Sequence, residues 1–163
     1  MFAGYYKDEA ATREVLDDDG WLRSGDIAEI DDDGFVTITD RKKDILVTAG
    51  GKNVAPANIE NDLKAHREIS QALVIGDRRP FVAALVTLDP DATAALSTEE
   101  KEGRVQEIVD EVNRDRSRFE QIKRFVILPR DFSMEDGEVT PTLKLKRRVV
   151  MDHFAPEIDS IYE

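Results

Sequence analysis

A run of five consecutive charged residues separates two short apolar β-patterns in this sequence. The run is Asp40–Asp44, and the patterns on either side of it are residues 35–39 and 45–48. Packing five adjacent charges into a core would carry a large desolvation cost, so we expect the run to be exposed backbone between two packed bodies. We interpret it as a hinge. The alternative is a surface loop that simply carries charge, because charge runs are usually solvated.

The segment before the run carries too little apolar pattern for a domain of its own. A short helix is predicted near residues 8–16, and the apolar runs 27–30 and 35–39 flank Asp31–Gly34, a loop typical of a β-hairpin. One hairpin and one short helix cannot bury a core. We therefore expect residues 1–40 to be the tail of a larger, truncated domain. By themselves they would be either disordered or paired with another copy through their exposed strands.

Strands and a second, tighter hairpin are predicted after the charged run. The hairpin joins residues 45–48 to residues 53–54 around Gly50 and Gly51. Three further strands are indicated by β-rich apolar runs, and a polar turn at residues 77–80 joins the first two of them. The three runs are residues 72–76, 81–88 and 125–128.

Helices are indicated by capping residues and by apolar positions at helical spacing. Pro56 suits the first turn of one helix, Ser97 and Glu100 form a capping box that opens a second, and a third is predicted over residues 145–158. Their apolar positions are Ile59, Leu63, Val105, Ile108, Val109, Val112, Val149, Phe154 and Ile158. We therefore predict an α+β fold over residues 44–163, a small three-stranded sheet with covering helices.

Composition excludes several classes of function. The net charge of −12 argues against a nucleic-acid partner, whose binding surface is basic. The absence of cysteine removes disulfides and thiolate chemistry and is compatible with a cytosolic setting. The longest apolar run, Val82–Val86, is too short for a transmembrane segment. His66 and His153 lie far apart, so no metal site is predicted.

Four short motifs occur in order between residues 20 and 148. They are Gly20-Trp-Leu-Arg-Ser-Gly-Asp26, Thr39-Asp-Arg-Lys-Lys-Asp44, Gly50-Gly51 leading into Val54-Ala-Pro-Ala-Asn-Ile-Glu60, and Thr140-Pro-Thr-Leu-Lys144-Leu-Lys-Arg-Arg148. Together they resemble the C-terminal part of the adenylate-forming acyl-CoA synthetases, most of all the bacterial long-chain fatty-acid–CoA ligases. The resemblance implies a hairpin fragment of the large N-terminal domain in residues 1–40, a hinge at residues 41–43 and a C-terminal lid domain over residues 44–163.

The resemblance also implies a role for individual residues in adenylate formation. Asp26 matches the aspartate that accepts hydrogen bonds from the ribose hydroxyls, which needs an acceptor-only side chain. Arg41 matches an arginine that also holds the ribose, and Ile38 matches a position that lines the adenosine site. Lys144 matches the catalytic lysine, whose compact cation stabilises the charge that develops at the α-phosphate. A mobile loop is expected to deliver and withdraw that charge. The alternative for Lys144 is a solvated lysine among its basic neighbours.

Other matched positions concern the second half-reaction. Lys43, with Asp40 beside it, matches the pivot of the family hinge, and rotation there would exchange Lys144 for the hairpin that carries Gly50, Gly51 and Lys52. Glycines suit a surface where the pantetheine arm of CoA passes close to the backbone, although a hairpin turn alone could also require them. Lys52, Arg78 and Arg79 are further cations that could meet CoA phosphates. Val47 stands where luciferases and plant aryl-CoA ligases carry a lysine, so their second step is not transferred to this chain.

The implied substrates are a fatty acid, ATP (released as AMP) and CoA, with Mg²⁺ bound through ATP by the missing N-terminal domain. The phosphate loop and acyl tunnel of the family are absent, so we expect the chain to be inactive alone. The expected location is cytoplasmic, with peripheral membrane contact an option for the intact enzyme. Two alternatives stay open: another adenylate-forming enzyme, either an aryl-CoA ligase or a peptide-synthetase adenylation module, and a non-catalytic docking module. The three matched residues Asp26, Arg41 and Lys144 argue against docking alone.

Overall fold

The computed structural model describes residues 2–163, which divide into two compact units. The N-terminal unit ends at Asp44, and the C-terminal unit runs from Ile45 to Glu163. The division falls directly after the charged run that was interpreted as a hinge. Rotation at that point stays a prediction.

The N-terminal unit contains one short helix and one hairpin. Helix α1 (Glu9–Val15) begins at Asp8, whose side chain accepts a hydrogen bond from the backbone amide of Ala11 at 2.9 Å. Strands β1 (Asp26–Ile30) and β2 (Val36–Arg41) are antiparallel, as predicted from the sequence. These residues are therefore structured, which differs from the disordered alternative. Pairing between copies stays a prediction.

The N-terminal unit leaves most of its large apolar side chains in contact with solvent. Helix α1, all of which the structure describes, has no buried residue. Eight large apolar side chains of the described residues in this unit are more than half exposed: Tyr5, Tyr6, Trp21, Leu22, Ile30, Phe35, Val36 and Ile38. This exposure fits the expectation that the segment has no core of its own.

A small mixed sheet forms the centre of the C-terminal unit. Strands β3 (Leu46–Val47) and β4 (Asn53–Val54) make the tight hairpin, and helix α2 (Pro56–Lys64) follows it. Strands β5 (Ile69–Ile75), β6 (Val82–Leu88) and β7 (Ile122–Ile127) form the sheet in that order. The β5–β6 pair is antiparallel and the β6–β7 pair is parallel. Helix α3 (Thr98–Asn113) supplies the crossover that a parallel pair requires.

Helices cover both faces of the sheet. Alternate residues of β5 and β6 point to opposite faces, so Val74 and Ala84 pack with α2 and α3, whereas Leu73 and Leu85 pack on the other face. That second face is covered by the helices α4 (Arg147–His153) and α5 (Ala155–Tyr162). The α+β prediction and the capping box at Ser97 and Glu100 are confirmed.

Three sequence predictions need correction. The last helix was expected to be continuous over residues 145–158, but it breaks at Phe154 because Pro156 lacks the amide that a continuous helix needs. The first and third strands of the sheet begin at Ile69 and Ile122, before the predicted residues 72 and 125. Within the charged run, Asp40 is buried instead of exposed, and its carboxylate accepts a hydrogen bond from the amide of Arg41 at 2.6 Å.

Candidate functional site

Asp26 and Arg41 face each other across the first hairpin. They are register partners on β1 and β2, and Arg41 Nε lies 2.7 Å from Asp26 Oδ1. The open end of the hairpin is closed by the amide of Lys42, which donates to the carbonyl of Gly25 at 2.7 Å. The two predicted ribose-binding side chains therefore form one preorganised ion pair, in which the carboxylate keeps an oxygen that can accept another hydrogen bond.

A break in strand register places Ile38 on the same face as that ion pair. In a regular strand, the three-residue spacing of Ile38 and Arg41 would put them on opposite faces. The register shifts between Ile27 and Ala28, so that Ala28 pairs with Ile38 while Asp26 pairs with Arg41. Asp26 and Ala28 share one face of β1, and cross-strand partners share a face. The structure thus brings the three predicted nucleotide-binding residues to one surface.

The predicted hinge residues differ in environment. Asp40 is buried at the end of β2, whereas Lys43 is exposed in the turn that follows. That turn is held by the amide of Asp44, which donates to the carbonyl of Arg41 at 2.9 Å. Lys43 is therefore the accessible member of the pair, and Asp40 is part of the strand.

Lys144 lies on a closed turn in the C-terminal unit. The amide of Lys144 donates to Thr140 Oγ1 at 3.0 Å, and its carbonyl accepts from the amide of Thr140 at 2.9 Å. Leu143 closes the turn with a left-handed backbone (φ +58°). The side chain of Lys144 is exposed and has no ion-pair partner within residues 2–163. Lys144 thus lies on a hydrogen-bonded turn that presents an ammonium group without an ion-pair partner among the described residues, and the mobility of this loop stays a prediction.

A buried carboxylate lies at the N-terminal stem of this turn. Glu138 is fully buried, and its two oxygens receive both terminal nitrogens of Arg130 at 2.7 and 2.8 Å. The amide of Ser133 and Nδ1 of His153 lie 2.9 Å from the same carboxylate. The hydrogen bonds from Arg130 outweigh burial and lower the pKa of Glu138 to about 2. The carboxylate is therefore ionised at neutral pH.

A second buried carboxylate, Glu60 of α2, binds the segment that follows the Lys144 turn. Glu60 Oε1 accepts from Arg147 Nη1 and from the amide of Val74, each at 2.7 Å, and Arg147 Nη2 donates to the carbonyl of Val74 at 2.7 Å. Burial raises the pKa of Glu60, and the charge of Arg147 opposes that effect. The start of α4, three residues after Lys144, is thereby fixed to α2 and β5.

The glycine hairpin is a tight turn anchored to a neighbouring loop. The amide of Gly51 donates to the carbonyl of Thr48 at 2.8 Å, and Gly51 alone of the two glycines has a left-handed backbone (φ +72°). The amide of Ala49 donates to the carbonyl of Arg79 at 2.9 Å. The backbone conformation therefore favours glycine at position 51. It does not require glycine at position 50.

A groove of about 450 Å³ opens beside this hairpin. Its walls include Gly50 and Lys52 from the turn, Phe119 from the segment before β7 and Lys123 from β7 itself, and Arg118 adds a third cation. Lys52 Nζ lies 5.8 Å from the centre of the Phe119 ring. Sequence reasoning named Lys52 but missed the residues near β7, which lie about seventy positions away in the chain and carry no motif that was singled out.

The two further cations named from the sequence differ in availability. Arg79 pairs with Asp159 at 3.0 Å and lies 4.7 Å above the ring of Tyr162, so its guanidinium already has partners. Arg78 is far more exposed, has a left-handed backbone (φ +56°) and makes only a longer ion pair, 3.8 Å from Nε to Asp77 Oδ2. Of the pair, Arg78 is the one that could meet a ligand.

The described residues contain neither a metal-binding cluster nor a membrane-spanning helix. Within residues 2–163, no group of three or more His, Cys, Asp or Glu side chains is placed to hold a metal ion. In the same part of the chain, no helix has both the length and the apolar character needed to cross a bilayer.

The family profile of the AMP-binding enzyme C-terminal domain matches residues 43–163 of this sequence. The match begins at the predicted pivot, Lys43, and includes the glycine hairpin, the central sheet and the turn of Lys144. The chain belongs to the AMP-binding enzyme C-terminal domain family.

Curated relatives of this chain are named as long-chain-fatty-acid–CoA ligases. It is 46% identical to the long-chain-fatty-acid–CoA ligase FadD15 of Mycobacterium tuberculosis, over 99% of this chain and 30% of that protein. It is 37% identical to the human long-chain-fatty-acid–CoA ligase ACSBG1, over all of this chain and 27% of that protein. The chain thus spans less than a third of the length of these curated relatives.

Solved structures of adenylation domains share this fold. The adenylation domain of a carboxylate reductase from Mycobacterium chelonae matches with a TM-score of 0.88 at 26% identity, over 99% of this chain and 26% of that one. The corresponding domain from Segniliparus rugosus, determined with AMP and a co-purified carboxylic acid, matches with a TM-score of 0.87 at 25% identity, over 99% of this chain and 26% of that one.

Proposed function

We propose that this chain is the C-terminal part of an AMP-forming long-chain fatty-acid–CoA ligase. In the first half-reaction a fatty-acid carboxylate attacks the α-phosphate of ATP, and pyrophosphate leaves. In the second, the thiol of CoA attacks the acyl carbon, and AMP leaves as acyl-CoA forms. The names of the relatives, at up to 46% identity across nearly the whole chain, support this assignment.

The first hairpin would hold the AMP portion of the nucleotide. The carboxylate of Asp26 would accept hydrogen bonds from the ribose hydroxyls, while its ion pair with Arg41 at 2.7 Å fixes its orientation. Ile38 offers an apolar side chain on the same face, suited to contact with the adenosine. These residue types fit a nucleoside monophosphate. The magnesium that accompanies ATP would be bound through ATP by the N-terminal domain.

Lys144 would act in adenylate formation. The observation that carries this role is an exposed ammonium without an ion-pair partner among the described residues, presented by a hydrogen-bonded turn. Such a group can bridge the incoming carboxylate and the α-phosphate without first giving up another carboxylate. Charge accumulates on the phosphate oxygens during the transfer, so a fixed cation stabilises the transition state more than the ground state.

The glycine hairpin and its groove would serve the thiol step. Rotation at Lys43, with Asp40 beside it, would withdraw Lys144 and present Gly50, Gly51 and Lys52 instead. The groove suits the long, anionic CoA molecule, since Lys52, Arg118 and Lys123 provide positive charge and Phe119 an apolar wall. The isolated chain would be inactive, because the acyl and ATP pockets belong to the N-terminal domain. A cytoplasmic location, peripheral membrane contact and pairing of residues 1–40 between copies stay predictions.

Replacing Lys144 tests this function. The chain would be joined to the N-terminal part of FadD15 in place of the corresponding segment, and the two half-reactions would be measured separately. Lys144→Ala is expected to slow pyrophosphate release by about a hundredfold or more, since one electrostatic contact to the transition state is lost. Transfer from preformed acyl-adenylate to CoA should remain near the unmodified rate. The matched control is Lys146→Ala, which removes another exposed lysine from the same segment.

Two results would argue against the proposal. Normal pyrophosphate release by the Lys144→Ala chimera would favour a non-catalytic docking module. Adenylate formation without acyl-CoA production would favour an adenylation module that uses another acceptor. The high structural similarity to carboxylate reductase adenylation domains makes that second result the main alternative.

A further inference from the structure

The carboxylate of Glu138 has more hydrogen-bond partners than a residue beside a surface turn needs. It is fully buried, and its carboxylate receives two hydrogen bonds from Arg130, one from the amide of Ser133 and a contact of 2.9 Å from Nδ1 of His153. Arg130 follows β7, and His153 is the last residue of α4. One carboxylate therefore ties together three segments of the chain that are separate in sequence.

The backbone of Glu138 begins the stem of the Lys144 turn. Its carbonyl accepts from the amide of Lys146 at 2.7 Å, and the next residue, Val139, makes a β-bridge with Leu145. Above this bridge, Thr140 exchanges hydrogen bonds with Lys144. The position of the Lys144 backbone is thus set by a short ladder of paired residues. The first pair of this ladder includes Glu138, whose carboxylate is buried.

Net stability is a weak reason for placing a charge at that base. Val139, the next residue in the chain, is already buried in one hydrophobic cluster with Val150 and Phe154, and an apolar side chain of similar size would often serve stability equally well. A two-pronged arginine–carboxylate pair differs from apolar packing in being directional, because both pairs of atoms must align. The pair therefore fixes an orientation that apolar packing of similar stability would leave undefined.

We propose that Glu138 is a positioning residue for adenylate formation, acting through Arg130 and His153 to hold the Lys144 turn in one orientation. The inference rests on the proposed function of Lys144. A transition-state contact loses much of its effect when its group is displaced by about an ångström, so a loosened stem slows the adenylation step alone. The thiol step, which uses the hairpin of Gly50 and Gly51, does not depend on this stem.

The test uses Glu138→Gln, which keeps the shape of the side chain and removes its charge. In the FadD15 chimera, pyrophosphate release is expected to fall about tenfold or more, with the KM for ATP little changed and the thiol step from preformed adenylate unaffected. In the 163-residue chain, the amides of Leu143 and Lys144 should exchange with solvent faster than in the unmodified chain. The matched control, Glu68→Gln, breaks the ion pair of Glu68 with Arg104 at 2.9 Å, which lies away from the turn.

A second variant guards against misfolding of the first. His153 is half-exposed, so His153→Gln should fold normally and still slow pyrophosphate release several-fold without slowing the thiol step. Equal slowing of both steps, or normal pyrophosphate release together with normal amide protection, overturns the proposal. If Lys144→Ala itself leaves pyrophosphate release intact, the proposed function fails. If Lys144→Ala is defective and both stem variants are normal, the positioning role alone fails.

Discussion

At the scale of single residues, Glu138 should control part of the response of the chain to acid. Hydrogen bonds from Arg130 hold its pKa near 2, against an ordinary value of 4.5, so the folded state favours the ionised form. A carboxyl group with a lowered pKa adds stability above its unfolded-state value, and that stability is lost as the pH falls through the folded-state value. The window for this effect therefore lies between the ordinary value and the lowered one.

We predict that the difference in unfolding free energy between the unmodified chain and Glu138→Gln shrinks on acidification. It should be about 2–3 kcal/mol near neutral pH and decrease progressively as the pH falls below about 4.5. Urea titrations at a series of pH values measure it. Glu60→Gln is the control, and its effect on unfolding free energy should change with pH in the opposite direction. Burial raises the pKa of Glu60, so protonation there favours the folded state. A difference for Glu138→Gln that is independent of pH would contradict the prediction.

At the scale of elements, the sequence predicted best where a signal is local. The capping box of α3, the apolar stripe of α2 and the turns of both hairpins depend on residues within a few positions of one another, and the structure confirms them. The break at Phe154 was missed because Pro156 permits both a helix start and a kink. The early start of β7 was missed because its first residues include the exposed cations Lys123 and Arg124.

The candidate site was predicted only in part, because some of its geometry depends on distant contacts. The motifs identified Asp26, Ile38 and Arg41, but their common face depends on a shift in register that no spacing reveals. Glu138 carries no local sign of burial, since its partners lie both before and after it in the chain. The groove joins the hairpin to the start of β7, and only the folded chain brings these together.

The two glycines of the second hairpin should respond differently to substitution. Gly51 has a φ of +72°, where a side chain is strained, although a Cβ there would meet no atom within 4 Å. Gly50 lacks that backbone conformation, and its added Cβ would make only an ordinary contact with Thr48 at 3.9 Å. We predict that Gly51→Ala lowers the free energy of unfolding by about 1 kcal/mol and that Gly50→Ala changes it by less than about 0.5 kcal/mol.

The same two variants distinguish a glycine required by the hairpin turn from one required by close passage of the pantetheine arm. If the hairpin only needs a left-handed residue, Gly50→Ala leaves the thiol step of the chimera unchanged. If the pantetheine arm passes close to the backbone, Gly50→Ala slows that step without destabilising the fold. Thermal unfolding and the rate of acyl-CoA formation from preformed adenylate measure the two effects. A larger loss of stability for Gly50→Ala than for Gly51→Ala would contradict the assignment of the turn.

At the scale of the whole molecule, apolar burial is distributed very unevenly between the two units. Both hydrophobic clusters of the described residues draw only on positions 46–162, whereas Trp21, Phe35 and Ile38 of the N-terminal unit remain largely exposed. Burial of apolar surface is the main favourable contribution to folding. The C-terminal unit should therefore hold most of the stability of the chain.

This distribution predicts how the chain responds to limited proteolysis. The last residue of β2 and the turn after it carry the exposed cations Arg41, Lys42 and Lys43, so trypsin should cut there early and leave residues from the hinge onward as a resistant fragment. That fragment should keep the cooperative thermal transition of the intact chain, with a midpoint within about 3 °C, because its core is complete. Lys42→Gln with Lys43→Gln, which leaves Arg41, is expected to slow the cut without moving the transition. Loss of the cooperative transition after cleavage would mean that the N-terminal residues complete the core, contrary to the two clusters described.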